Sequence, residues 1–253
     1  MRWMWTHRVL ATAAVVAACA LLVTPTVAKD PFPDGTSPKV IAADIEYLKA
    51  GLEPKPTAKG TLNALKGGAM LLALSAQNNL DGKDADRMAA VRAQALKVAE
   101  ALTAKKTGDA AAAAAGLSDA KGGDKKPLKL HDMHKFDLSE LMGTYRSGKA
   151  GGMNIEADLK AAKDSIKDIA LVEVQAARVA LIAQYSLDMP PSGADAGPKK
   201  KQWDDLAKES QKLATEAVAE AAKGAKADQA KLKKTIAAIN LNCTNCHGKF
   251  RDN

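Results

Sequence analysis

The chain has 253 residues, 37 basic against 29 acidic side chains, a net charge of +8, and aromatic residues at only 4%. Its lysines are scattered among carboxylates and its aromatic faces are too few to stack bases, which excludes a nucleic-acid footprint. The length admits one large domain or two small ones.

Residues 1–28 read as an export signal. Arg2 and Arg8 form a positive leader, Val9 to Val23 an apolar stretch, and Thr26-Val27-Ala28 a small-residue cleavage site before Lys29. Two alternatives stay open. The apolar stretch is a retained membrane anchor, although it is short for a span and followed by Pro25; or Val16-Ala17-Ala18-Cys19 is a lipobox that places a lipid on Cys19. Cleavage after Ala28 removes Arg2 and Arg8 and leaves a net charge of +6. That charge suits an acidic partner protein, with membrane association expected only through a lipid on Cys19.

Beyond the signal, apolar residues recur at three- and four-residue steps and β-branched alternation is almost absent, so the chain is expected to be all-α. Helices are predicted over 38–51, 58–79, 84–106, 136–147, 154–187 (with a break midway as an option), 201–223 and 227–248. Pro54 and Pro56, Asp81-Gly82, Gly151-Gly152 and the loop from Pro190 to Pro198 separate them. Ala110–Ala115 is a candidate short helix.

The pattern repeats. Met88, Val91, Ala95, Val98 and Leu102 form a stripe that an offset of 115 lays on Trp203, Leu206, Ser210, Leu213 and Ala217. An offset of 110 lays Ile45-Glu46 on Ile155-Glu156 and Met70–Ala73 on Ala180–Ala183. The expected organisation is two related helical bundles, 38–135 and 136–253. Shared amphipathic periodicity alone accounts for part of the match. One further residue of offset lays Pro127-Leu128-Lys129-Leu130-His131 on Cys243–His247, keeping the histidine and losing both thiols. The first copy is therefore expected to lack the covalent chemistry that those two thiols support.

Cys243-Thr244-Asn245-Cys246-His247 is a complete C-x-x-C-H motif. Two thiols at this spacing can each add to a haem vinyl group while the adjoining imidazole reaches the iron. Leu232, Ile236, Ile239, Cys243, Cys246 and Phe250 follow a 4-3-4-3-4 spacing, so the cysteines continue the inward stripe of the last helix. Arg251, one turn beyond His247, is a candidate partner for a propionate. Three other chemistries compete. Zinc would need a fourth ligand from His131 or His134. A redox dithiol belongs at a helix start after a strand, and a disulfide within a regular helix would be strained. His131, Asp132 and His134 are otherwise solvated boundary residues.

A terminal helix carrying Cys243, Cys246, His247, Phe250 and Arg251 in this order resembles the class II c-type cytochromes, the cytochrome c prime family. It is most similar to planctomycete-type exported members with tandem or divergent copies. The resemblance implies an antiparallel four-helix bundle in a periplasmic compartment, one haem c joined at Cys243 and Cys246, His247 as the proximal iron ligand, and an option of homodimers. It also implies a residue of the first helix above the sixth iron position. Met142, on the Leu138, Leu141, Met142 and Tyr145 stripe, is the sulfur candidate, with core filling as the competing role.

No nucleophile–base arrangement or phosphate loop is legible, so an enzyme is not indicated. The expected function is one-electron transfer by an exported c-type cytochrome. Capture of nitric oxide or carbon monoxide at a five-coordinate iron and a haem-stapled structural module are the rival readings.

Overall fold

A computed structural model of the chain describes residues 30–129, 133 and 138–250. The export segment with Cys19, the His131-Asp132-His134 cluster and Arg251 lie outside the described residues. Among those residues the regular structure is entirely helical. Nine α-helices follow in chain order: α1 (Thr36–Leu52), α2 (Lys59–Gln77), α3 (Ala85–Thr103), α4 (Thr107–Ala115), α5 (Leu138–Met142), α6 (Ile155–Asp164), α7 (Ile169–Asp188), α8 (Gly197–Ala221) and α9 (Gln229–Phe250). No helix among the described residues is long and apolar enough to cross a membrane.

The helices form two rings of the same pattern. In the first, α1 and α3 each pack on both α2 and α4; in the second, α6 and α8 each pack on both α7 and α9. Each ring is a four-helix bundle whose inward stripes meet. Val40, Leu48, Leu65, Leu72, Val91 and Val98 are buried in the first, and Ile155, Leu159, Val179, Val218, Leu232 and Ile236 in the second. The buried side chains join into one continuous apolar core.

One segment takes an option left open and another differs from expectation. The 154–187 stretch has the midway break and forms two helices, because Ser165 (φ −148°, ψ 119°) and Asp168 (φ −134°, ψ 102°) are extended. The Asp168 carboxylate then caps α7 by accepting from the Leu171 N–H at 3.0 Å. The 136–147 stretch does not form the first helix of the second ring, a place taken by α6. Its helical part, α5, is five residues long and passes into a 3-10 turn at Gly143–Tyr145, and both pack chiefly on α2. The glycines of 143–152 interrupt the helix there.

Polar and charged pairs are buried where the rings meet. Asp44 of α1, fully buried, accepts from Arg178 of α7 at Nε (2.9 Å) and Nη2 (2.7 Å). Arg178 also donates to Gln175 Oε1 at 3.0 Å, and Gln175 donates to the Met153 carbonyl at 2.9 Å. Nearby, the buried Glu173 carboxylate accepts from Thr36 Oγ1 and Lys39 Nζ, both at 2.7 Å. Burial pushes the Asp44 carboxyl above its ordinary range, with the Arg178 charge opposing that rise.

Two outcomes follow from these buried charges. Arg178→Ala strands the Asp44 carboxylate and is expected to cost about 3–5 kcal/mol, read by urea unfolding. Replacing both residues with apolar side chains should cost distinctly less. Glu220 of α8 holds the start of α9: it accepts the Asp228 N–H at 2.8 Å and pairs with Lys223 (2.8 Å) and Lys231 (3.1 Å). These donors lower its carboxyl from 4.5 to about 2, so its contribution to stability is complete above the ordinary value and is lost as pH falls through about 2. Unfolding midpoints for Glu220→Gln should therefore fall less between pH 5 and about 2 than those of the parent chain.

Candidate functional site

Helix α9 starts on a local signal. The Asp228 carboxylate accepts from the Lys231 N–H at 3.0 Å, and the Asp228 carbonyl takes the Leu232 N–H at 2.9 Å. From there Leu232, Ile236 and Ile239 run fully inside the second ring. Asn242 fixes the rotation of the helix by donating to the Leu206 carbonyl (2.8 Å) and to Ser210 Oγ (2.7 Å) of α8. The same stripe then leaves the packed core and meets an open space.

That space is a cleft of about 980 Å³, a figure that takes in solvent at its open mouth. Cys243, Cys246 and His247 all line it. Both thiols are free and half-buried, and His247 is exposed at the mouth. The facing walls are largely apolar: Leu159 of α6, Val179, Ile182 and Ala183 of α7, Trp203, Leu206 and Ala207 of α8, and Ile239 of α9 itself. Trp203 is anchored by donating Nε1–H to the Ser186 carbonyl at 2.6 Å, and its ring meets Phe250 edge to face at 5.3 Å. Phe250 thus packs beside the pocket through Trp203. Met142 and Tyr145 supply a further wall, while Glu156 and Lys160 form an exposed ion pair at 2.5 Å on the pocket's α6 side.

Burial shapes the electrostatics. It pushes the Cys243 thiol from 9.0 to about 11, aided by Cys246 and Glu156, and raises Cys246 as well. Burial likewise lifts the Tyr145 phenol well above its usual value, with both cysteines and Glu156 adding to the effect. Neutral thiols in an apolar wall are poor nucleophiles and poor zinc ligands, both of which require the thiolate. Among the described residues no three histidine, cysteine or acidic side chains converge as a metal cluster. Among the described residues no strand precedes α9, as a thioredoxin-like dithiol would require.

A haem fits this donor set. Two thiols at helical spacing with a neighbouring imidazole open onto a space that is apolar in its depth and charged at one side. The buried Asn240 Nδ2, without a hydrogen-bond partner, is a spare donor on the wall. Sequence reasoning found Cys243, Cys246, His247 and Met142 but missed the pocket roles of Tyr145, Trp203, Leu159 and Asn240. Trp203 was visible only as a member of a repeated stripe.

In the first ring, described residues fill the face that corresponds to this space. Arg92 stands where the 115-residue offset puts Ala207, and it is buried. It donates to Gln77 Oε1 (2.6 Å) and to the carbonyls of Asp124 (2.6 Å) and Lys126 (3.0 Å). Gln77 in turn accepts the Leu128 N–H at 3.2 Å. The 123–128 loop is therefore bound to the face of α2 and α3 that corresponds to the pocket wall. Pro127 and Leu128 sit in this loop and not on a helix matching α9, since α4 ends at Ala115.

Residues 149–251 match the family model described as Cytochrome C′. The match takes in α6 to α9 with Cys243, Cys246, His247, Phe250 and Arg251; it leaves out the first ring, Met142 and Tyr145. No curated protein and no solved structure matches the chain.

In the haem-free chain, alkylation of Cys243 should be slow at neutral pH and climb with thiolate formation toward a midpoint of about 11, read by peptide mass mapping. A midpoint at or below 9.0 would contradict the buried thiol.

Proposed function

We propose that this chain is an exported c-type cytochrome that binds one covalent haem in its second ring and carries single electrons. The observation that carries the reading is that Cys243, Cys246 and His247 of one helix share the wall of an apolar pocket, within the stretch matching the cytochrome c′ family. Cys243 and Cys246 would hold the haem through thioethers and His247 would ligate its iron. When bound, the group supplies an iron that alternates between ferric and ferrous states at a potential tuned by burial and axial ligation.

The chain's own residues do the rest. Leu159, Val179, Ile182, Leu206 and Ile239 exclude water from the pocket's depth. Asn242 and the Trp203–Phe250 contact keep α9 from turning, so the two sulfurs stay aimed inward. Lys160 on the pocket wall would offset propionate charge, and Arg251, four residues beyond His247 in the sequence, is the second cation proposed for it. The shared ring pattern supports a tandem copy. The loop tied to Arg92 supports a first copy without haem. A net charge of +6 after cleavage suits an acidic redox partner.

A second reading, capture of nitric oxide or carbon monoxide at a five-coordinate iron, draws support from Leu159. This buried apolar residue belongs to α6, the first helix of the ring, and lines the pocket. Met142 is the competing sixth ligand from outside the ring.

Protein purified from a host with cytochrome maturation should begin at Lys29, carry the mass of one haem and absorb as a c-type haem protein. The Cys243→Ala, Cys246→Ala double variant should have the bare polypeptide mass. Visible and resonance Raman spectra of the ferrous form with carbon monoxide separate the two readings: no gas adduct supports electron transfer, and a ready adduct supports gas capture. A colourless wild-type preparation would overturn both.

A further inference from the structure

The pocket belongs to more of the chain than the family match covers. Met142 and Tyr145 line it, yet they precede residue 149 and sit on a strap that rests against α2 of the first ring. The contact is close because α2 has Gly67-Gly68 beneath it. A Cβ on Gly67 would lie 2.6 Å from the Glu140 carbonyl oxygen and 2.9 Å from Thr144 Cγ2. A Cβ on Gly68 would lie 2.9 Å from Met153 Cε, where the strap returns. Lys66 of α2 makes a part-buried ion pair with Glu140, and Tyr47 of α1 donates its hydroxyl to the Gly151 carbonyl at 2.6 Å. The strap is thus fastened to the first ring at both ends before the chain enters α6.

Its pocket side carries a polar group that nothing described engages. The hydroxyls of Ser186, Ser210 and Thr244 on the pocket wall are hydrogen-bonded to the Ile182 carbonyl, Asn242 and the Asn240 carbonyl. Tyr145 has no hydrogen-bond partner among the described residues, while both cysteines and Glu156 are its electrostatic neighbours. Tyr145 is half-buried and lines the pocket, where its phenol is partly shielded from water, so an occupant of that space is the partner its hydroxyl lacks.

We propose that the first ring is the seat of the cofactor pocket: α2 holds the 138–145 strap so that Met142 and Tyr145 form one wall, and Tyr145 offers its free hydroxyl to the bound haem or to a ligand on its iron. The proposal rests on the haem reading for the role of the hydroxyl, but the clamping of the strap stands without it. Tyr145 is in this sense a positioning and specificity residue, and Gly67 acts through the strap.

The test uses the full chain in two forms, haem-loaded and haem-free. Gly67→Ala strengthens α2 as a helix, so its harm must come from the strap it pushes away. Haem-free Gly67→Ala should keep its helical circular dichroism and show Cys243 alkylated about tenfold faster, since the wall over the thiol opens. Gly108→Ala, where a Cβ meets nothing within 4 Å, should label at the wild-type rate. If Gly67→Ala fails to fold, Glu140→Gln replaces it, with a smaller acceleration expected. In the loaded form Tyr145→Phe should leave thioether attachment intact but shift the resonance Raman bands of the ferrous protein, with or without carbon monoxide, or its reduction potential. Wild-type labelling in both strap variants would overturn the clamp. Unchanged bands and potential in Tyr145→Phe would overturn the hydroxyl's role. A chain that never takes up haem would overturn the function proposed above, while the labelling still reports on the strap.

Discussion

The apolar stripe of α9 is the constraint on which the site depends. Leu232, Ile236 and Ile239 recur at the spacing that keeps one helix face on the core, and their burial contributes about 1.5–3 kcal/mol per side chain. Cys243 and Cys246 occupy the next two places of that stripe, so the packing that docks the helix also aims both sulfurs inward. A rotation that turned them outward would have to pull the three aliphatic side chains from the interior. Asn242, bonded to Leu206 and Ser210, adds a directional lock that apolar packing alone lacks.

The two rings share a helix pattern and differ in what occupies the same face. Where the second ring leaves a pocket, the first has Arg92 and a loop tied to it through backbone carbonyls. A buried guanidinium needs several acceptors, and the 123–128 loop supplies two of them, so the loop and the arginine stabilise each other there. The first ring is far from idle in the architecture. Its α1 meets α7 through the Asp44–Arg178 pair, and its α2 carries the strap that reaches the pocket. Polar seams of this kind favour one relative placement of two apolar bodies, because any slip leaves buried charge without a partner.

The pocket's character follows from which residues face it. Apolar walls keep both thiols protonated, so neither is poised for exchange or metal capture in the folded chain. The exposed imidazole and the Glu156–Lys160 pair mark the solvent side, where charged edges of a ligand can stay hydrated. Depth and mouth therefore differ in dielectric.

Much of this was legible in the chain. Helical periodicity placed most helices within a few residues, and the C-x-x-C-H spacing on an inward stripe named the three central side chains. The break at Ser165–Asp168 was open to doubt because local propensity there is weak in both directions. The 136–147 stripe was misjudged as a full helix of the second ring, since its apolar spacing is helical while its true neighbour, α2, lies some seventy residues upstream, as the Lys66–Glu140 pair marks (|i−j| = 74). Arg178 and Asp44 are 134 residues apart, and no local pattern announces that pairing. What the amino-acid order determined by itself is periodic and short in range: which face of each helix is apolar, and which side chains share it. What only the tertiary structure decided is which faces meet, because an apolar stripe is non-directional and accepts many partners until buried charges and glycine clearances select one.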